Sequence, residues 1–507
     1  MRPRCCIMRY PHSDVRKFLS RLGNFTVCIL IFIALLCLFS ARWYVGTCGR
    51  TGFDSILFTL GSGLQGAESG LVMGFLLQAA LPALVCGSAL IFLLCFRPKK
   101  ALPFWPKQWL VRCLTVAVCL YSAGYAIAIT GMTAYVHGLL QPFTILEDAY
   151  ADPRDVPITF PEEKRNLIVI YLESMECTFF SREHGGAMDR ELIPELWELA
   201  RDNVSFSHTQ GPGGFRCVGG TTWTTGSILG QSSGVPLKPP GIFTGYGPGD
   251  TFLPGLTTLT DILHENGYYQ ELIVGSDAAF GNIQAMYATH SIDRIRDVYT
   301  AYDDGIAPQD YYVWWGMEDA KVFAYAKQEL ETLSALDQPF ALTLQTIDTH
   351  HVGGYVCPEC PTMHEEQYSN VLSCSSARVA AFVDWLRQQP YYDDTTIVIC
   401  GDHPSMDNVY IKHLVPDDYV RRVYNCFINP AAVPVTCENR EFTTLDIFPT
   451  TLAALGCTIP GNRLGLGTDL FSGRPTLAEE MGFDEFNRQV SGSSEFYSQN
   501  FYREPNP

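Results

Sequence analysis

At 507 residues the chain is too long for one ordinary domain, and an apolar share of 47% with mean hydropathy slightly above zero is high for a soluble enzyme. The formal charge of −18 is carried mostly by residues beyond the apolar N-terminal part. An acidic domain of this kind argues against nucleic acid as a partner, because binders of nucleic acid present basic faces.

Three apolar runs occupy the first quarter: residues 25–45 (FTVCILIFIALLCLFSARWYV), 70–96 and 113–136. Each approaches the ~20 residues that a bilayer requires. Three such runs close together favour membrane helices over core helices, and a cleavable leader would account only for the first. Arg2, Arg4, Arg9, Arg16, Lys17 and Arg21 precede the first run, and Arg97, Lys99, Lys100, Lys107 and Arg112 lie between the second and third. Lys and Arg are retained on the cytoplasmic side, so three crossings predict a multi-pass protein of the cell membrane with everything after about His137 extracytoplasmic. Residues 52–65 (GFDSILFTLGSGLQ) are too short and Gly-rich for a crossing and read as a re-entrant or interfacial segment. The organisation predicted is a membrane domain over 1–140, a linker rich in Asp, Pro and Glu over 141–165, a catalytic domain over 166–475 and a tail over 476–507.

From residue 166 onward strand-like and helix-like segments alternate, which predicts an α/β fold with a central, mostly parallel sheet flanked by helices. The predicted strands cover 167–172, 204–208, 271–274, 340–347, 396–400 and 423–428. The predicted helices cover 191–202, 257–266, 319–333, 376–388 and 444–455. The tail is polar and aromatic without clear period, and both disorder and packing back onto the domain remain open. Nine of the 18 cysteines lie at or before Cys119, where a thiol serves as a small apolar side chain. Cys357, Cys360 and Cys374 cluster in a polar loop, CPECPTMHEEQYSNVLSC, that has half the look of a zinc knuckle. A second Cys-x-x-Cys is missing, so the expectation is a disulfide from Cys374 to Cys357 or Cys360.

The chemistry concentrates at two apolar runs that each end in a carboxylate: NLIVIYL before Glu173, and TTIVICG before Asp402-His403. Short β-branched runs read as buried strands of a parallel sheet, and ligands of open α/β sheets collect beyond the strands' carboxyl ends. Between them lies GPGGFRCVGGTTWTTG, residues 211–226, whose glycines and hydroxyls precede a helix-like run. A helix N-terminus suits a phosphate or sulfate, and a threonine there could act as a nucleophile, although the segment taken alone is better read as a Thr-rich cap and Gly turn. Glu173, a threonine of the 221–225 run, Asp402 and His403 would give a divalent cation three oxygens and one nitrogen. Such a set suits Mn²⁺ or Mg²⁺ and is also compatible with Zn²⁺.

These segments carry a family resemblance. NLIVIYLESMECTFF, GGTTWTTGSILGQSSGVPL, LTLQTIDTHHVGG, TTIVICGDH, TTLDIFPTTLAALG and GLGTDLF, in that order over about 160–475, resemble the lipoteichoic acid synthase and phosphoglycerol transferase I group of the alkaline phosphatase and sulfatase superfamily. A membrane anchor followed by an external domain is also that group's arrangement. The resemblance implies Glu173, Asp402 and His403 as metal ligands, Thr221 as both ligand and nucleophile, with Thr222 or Thr224 in its place if the register slips, and His350 as a contact to the headgroup phosphate. The segment Phe280-Gly281-Asn282 stands where the lipoteichoic acid synthases carry a Trp-Asn-Arg-like run, and the Cys/Ser-x-Pro-x-Arg nucleophile motif of sulfatases is missing from the Gly-rich loop.

What the resemblance implies for function is a metal-dependent transfer of phosphoglycerol from phosphatidylglycerol in the lipid bilayer to an extracytoplasmic glycan, through a covalent threonine intermediate. Alternatives inside the superfamily are a phosphoethanolamine transferase or a poly(glycerol phosphate) synthase. The alternative outside catalysis is a metal-free membrane receptor that keeps the fold.

Overall fold

The structure, a computed structural model, describes residues 12–49, 52–62, 69–95, 107–141, 143–239 and 251–503. Arg2, Arg4, Arg9, Arg97, Lys99 and Lys100, on which the expected orientation rests, lie outside the described residues. The chain divides into two compact units, one of Met1–Gly46 and Ser69–Gly131, the other of Thr47–Glu68 and Met132–Pro507.

In the first unit, three helices among the described residues are long and apolar enough to cross a membrane: Phe25–Cys48, Ser69–Cys95 and Trp109–Ile129. Phe25, Leu84 and Leu120 are among their exposed large apolar side chains, as lipid-facing surfaces require. The second helix carries a π-helical turn at Leu76–Ala80. Pro82 follows at once and lacks the N–H that would bond back to the preceding turn, a recognised cause of such irregularity. The third helix is shorter than the expected 113–136: Gly131 adopts φ +73°, which ends the helix, and a separate helix starts at Met132–Leu140.

In the second unit the strands are β1 Asn166–Leu172, β2 Gly214–Phe215, β3 Tyr269–Val274, β4 Arg294–Arg296, β5 Phe340–Gln345, β6 Thr395–Gly401, β7 Val423–Ile428, β8 Arg463–Leu464 and β9 Gly467–Thr468. The first seven form one sheet in the order β2-β7-β6-β1-β5-β3-β4, in which β6, β1, β5, β3 and β4 run parallel and β7 and β2 antiparallel to their neighbours. The architecture is an α/β domain with a central, mostly parallel sheet, as expected. β1 and β6 are buried on both faces, which is why their sequences read as continuous apolar runs rather than alternating ones. Leu167, Val169 and Tyr171 face one core together with Ile228, Leu229 and Phe448, while Ile168, Ile170 and Leu172 face the other with Leu196, Val322, Val379 and Val383.

Register positions the site. Leu172 pairs with Gly401, so the residues that follow them, Glu173 and Asp402, leave the sheet at the same level. Gly401 is required there, since a Cβ would fall 2.0 Å from the Met175 carbonyl oxygen and 2.6 Å from Val423 Cγ1.

Several expected elements differ for identifiable reasons. Residues 204–208 make a single bridge, Val204 to Phe427, because the Asn425 side chain takes the place of a ladder by accepting from the Phe206 N–H (2.9 Å) and donating to the Phe206 carbonyl (2.8 Å). The helix expected over 191–202 begins instead with Pro194 at its first turn, where the missing N–H costs nothing. The helix expected from 376 starts at Gln367, where buried Ser369, Asn370 and Ser373 interrupt the apolar periodicity. β4 (Arg-Ile-Arg) is a short charged edge strand that apolar patterning cannot reveal. The 141–165 segment is fastened to the domain: Ile145 and Leu146 are buried, and Ala151 and Thr159 bridge to Gly465 and Thr458. Within 52–65, whose last three residues lie outside the described residues, Phe53–Ser62 is a ten-residue helix that buries Leu57 and Phe58. Its Phe58 ring sits 5.7 Å from that of Trp223.

The tail packs back. Helices Leu477–Met481, Phe483–Ser491 and Glu495–Asn500 place Phe486, Val490, Tyr497 and Phe501 in the main core. Phe486→Ala should therefore lower the domain's stability by about 3 kcal/mol or more, read as a large fall in the urea midpoint. Met481→Ala, whose side chain is exposed, should leave the midpoint nearly unchanged.

Candidate metal centre and nucleophile

Glu173, Asp402 and His403 come together at the carboxyl ends of β1 and β6, with one ligand atom from each lying within 4.8 Å of the others. All three are essentially inaccessible to solvent. His403 Nε2 is 3.3 Å from Asp402 Oδ2 and 3.8 Å from Glu173 Oε1. The backbone at Ser174, directly after Glu173, adopts φ +54°, a strained conformation of the kind found at functional sites.

The surroundings orient each group toward a common point. Asp402 Oδ1 accepts from the Ser174 N–H (2.8 Å) and the His403 N–H (2.7 Å), while Oδ2 is buried without a hydrogen-bond partner. His403 Nδ1 lies 3.0 Å from the Pro404 carbonyl oxygen. Donation to that carbonyl fixes the tautomer and leaves the Nε2 lone pair facing the carboxylates, the arrangement by which metal-binding histidines are held. Glu173 Oε1 accepts from the Ser174 hydroxyl (2.6 Å). One step further out, buried Glu176 accepts from Arg421 Nε (2.8 Å) and the Ser405 N–H (2.8 Å), bracing the loop that carries His403.

The electrostatics also call for a cation. Burial, and then the charge of Glu173, push the Asp402 carboxyl up to about 7. Burial works against a charged His403, but Asp402 and Glu173 outweigh it and raise the imidazole above its ordinary value. Two buried carboxylates this close repel unless a proton or a cation lies between them. The orphaned Oδ2, the aimed imidazole and the oxygen-rich donor set fit a divalent cation.

The hydroxyl brought to this cluster is that of Thr224. Its Oγ1 is 3.4 Å from Glu173 Oε2 and 3.2 Å from His403 Nε2. Thr221, expected there from the GGTTW register, is turned away: its hydroxyl donates to the Val218 carbonyl (2.9 Å), accepts from the Val218 N–H (3.0 Å) and contacts Thr444 Oγ1 (3.1 Å). The reason is local. Gly219-Gly220 make a turn that ends at Thr221, Trp223 is still extended, and the helix Thr224–Ser233 opens at Thr224 with no side chain capping its first N–H groups. Those N–H groups and the helix dipole offer an anion site beside the Thr224 hydroxyl. Counting from the helix start rather than from the glycines would have selected Thr224 as the hydroxyl that reaches this cluster. Gly226 is required in the first turn, since a Cβ would fall 2.4 Å from the Gly220 carbonyl oxygen.

His350 follows β5 on the neighbouring loop. Its ring is tilted against Trp315 and stacked on His351, both at 4.4 Å between centroids, and Nδ1 lies 2.9 Å from the His351 carbonyl oxygen. Burial, reinforced by the nearby His403, pushes its imidazole down to about 4. His350 is therefore neutral, with Nε2 as its acceptor. Trp315, which sequence reasoning did not single out, closes this side as part of an aromatic run from Phe280 (5.0 Å) to His350.

Known proteins agree with this architecture. The chain is 30% identical over 322 residues to phosphoglycerol transferase I from Escherichia coli strain 55989, a match covering 62% of this chain and 40% of that protein. It thus spans less than half the length of that relative. Among solved structures, a protein of the alkaline phosphatase superfamily from Vibrio parahaemolyticus superposes with TM-score 0.50 at 19% identity, over 70% of this chain and 94% of that one. The lipoteichoic acid synthase LtaP from Listeria monocytogenes gives TM-score 0.47 at 18% identity, over 63% and 79%. The profile of the sulfatase family matches residues 165–456, more than half of the chain, and the protein belongs to that family.

Proposed function

We propose that the protein is a membrane-anchored phosphotransferase that moves phosphoglycerol from phosphatidylglycerol to a glycan hydroxyl on the extracytoplasmic side, with Thr224 as the nucleophile. The observation that carries this reading is the Thr224 hydroxyl, held at an uncapped helix N-terminus between Glu173 and His403. The identity to phosphoglycerol transferase I supports the choice of headgroup. Three membrane-length helices support a lipid donor, because a tethered domain meets headgroups at high effective concentration.

Glu173, Thr224, Asp402 and His403 are the residues that would hold a divalent cation, with manganese, magnesium and zinc all compatible with the donor set. When bound, such a cation supplies Lewis acidity and charge neutralisation in phosphoryl transfer. The chain's own part is positioning. The first-turn N–H groups at Thr224 receive the nonbridging phosphate oxygens. The Thr224 oxygen forms a bond to phosphorus as the bond to the diacylglycerol oxygen breaks, and diacylglycerol leaves with a proton. An acceptor hydroxyl then attacks the same phosphorus, and the bond to Thr224 breaks. Neutral His350, with Nε2 as its acceptor, takes the acceptor's proton in this second step and passes it to the departing Thr224 oxygen, so that both residues return to their starting states.

Incubation of the protein with manganese and labelled phosphatidylglycerol should leave a phosphoglycerol adduct on Thr224, located by peptide mass spectrometry. Thr224→Ala should abolish the adduct and lower turnover by about 10³-fold or more, whereas Thr221→Ala should still form it. An adduct formed from phosphatidylethanolamine in preference to phosphatidylglycerol would redirect the headgroup assignment while leaving the nucleophile intact.

Asp402 also sets a pH dependence. Its folded value of about 7 lies above that of an unfolded aspartate. Between about pH 4 and 7 the metal-free fold therefore holds a proton that the unfolded chain has lost, and its stability falls as pH rises through that window. A cation must displace this proton. Manganese affinity should thus tighten as pH rises through 7, by up to about tenfold per pH unit for each ligand proton displaced, measured by calorimetric titration, and Asp402→Asn should remove the binding.

A further inference from the structure

Cys357, Cys360 and Cys374 lie outside the proposed catalytic centre, and they do not pair in the way their sequence suggested. All three are free thiols. Cys357 Sγ is 3.4 Å from Cys360 Sγ and 3.7 Å from Cys374 Sγ, and one sulfur from each falls within 4.8 Å of the others. A disulfide would require about 2.05 Å. A tetrahedral ion with sulfur bonds of ~2.3 Å sets its ligands about 3.8 Å apart, close to the spacing of this triangle.

The local structure is built to hold the triangle. Cys357-Pro-Glu-Cys360 folds into a tight turn in which the Cys360 N–H donates to the Cys357 carbonyl (3.0 Å). Cys374 comes from the helix Gln367–Leu386, and Cys357 and Cys374 are 3% and 7% exposed. Three thiolates around a divalent ion carry a net charge of −1. Arg378, one turn after Cys374, supplies the opposite charge: its Nη2 donates toward Cys357 Sγ at 3.2 Å and lies 3.8 Å from Cys374 Sγ. Cys374 also lines a cavity of about 540 Å³ whose wall includes Glu359 and His364. That cavity gives room for water as the fourth ligand.

We propose that Cys357, Cys360 and Cys374 form a thiolate site for one zinc-class divalent ion, distinct from the Glu173, Asp402 and His403 centre. Three S–H groups lose their protons to solvent, three sulfur-metal bonds form, and no electron is transferred. Soft thiolates select zinc over the hard cations suited to the oxygen-rich centre. The ion staples the loop that leaves β5, on which His350 sits, to the helix that follows. The site depends on nothing assigned to Thr224, so either proposal can fail without the other.

The test uses the full chain purified in detergent without chelator. Elemental analysis should find one zinc per chain that is lost in Cys360→Ser and kept in Asp402→Asn, in addition to any zinc held at the oxygen-rich centre. Replacement of that zinc by cobalt in the unsubstituted protein should produce a thiolate-to-cobalt charge-transfer band, a readout independent of whether Cys360→Ser folds. A disulfide joining any two of the three cysteines in the purified chain, or a cobalt protein without that band, would overturn the proposal.

Discussion

Two carboxylates and an imidazole, shut away from water at the ends of adjacent parallel strands, are the constraint on which the rest of the domain turns. In water Glu173 and Asp402 would repel only weakly, but burial removes the screening and makes a shared positive partner necessary. The protein surrounds them with donors that fix their lone pairs: Ser174 and His403 N–H groups on one Asp402 oxygen, the Ser174 hydroxyl on Glu173, and the Pro404 carbonyl behind His403. Asp402 Oδ2 is left buried with no hydrogen-bond partner, while Glu173 Oε2 and His403 Nε2 find theirs in the Thr224 hydroxyl.

The fold serves that arrangement through register and close approach. Pairing Leu172 with Gly401 delivers the two carboxylates level with each other, and the glycine admits the Met175 carbonyl where a side chain would push β6 away. The helix Thr224–Ser233 is buried along nearly its whole length and presents its first turn to the same point. The helix is tied to the strand end as well, since the Ser227 hydroxyl donates to the Asp402 carbonyl and Gln231 Nε2 donates to the Gly401 carbonyl (3.0 Å). The Thr224 hydroxyl and the clustered Glu173, Asp402 and His403 are therefore fastened to one rigid body.

Much of this was legible in the sequence because it rests on strong local signals. The runs before Glu173 and Asp402 are uniformly apolar over strand length, so both strands and their carboxyl-terminal acids could be found without homologues. The helix at Asp319–Leu333 and the strand at Val423–Ile428 were equally plain. What the sequence hid was decided by tertiary contacts. Thr221, Thr222 and Thr224 are chemically alike, and only the turn at Gly219-Gly220 and the extended Trp223 determine which one opens the helix. The pairing at 204–208 was lost to an Asn425 side chain no periodicity reports, and the tail's place in the core depends on Phe486 and Tyr497 finding partners hundreds of residues away. Trp315 joins the His350 side of the site from a segment with no motif of its own.

The proposed chemistry rests on one divalent cation held jointly by Glu173, Thr224, Asp402 and His403. Anomalous diffraction from crystals grown with manganese would locate it. A single strong peak is expected within bonding distance of Glu173, Asp402 Oδ2, His403 Nε2 and Thr224 Oγ1, with Thr221 outside the coordination sphere. A peak coordinated by Thr221 in place of Thr224, or no peak at these strand ends in manganese-saturated crystals, would contradict it.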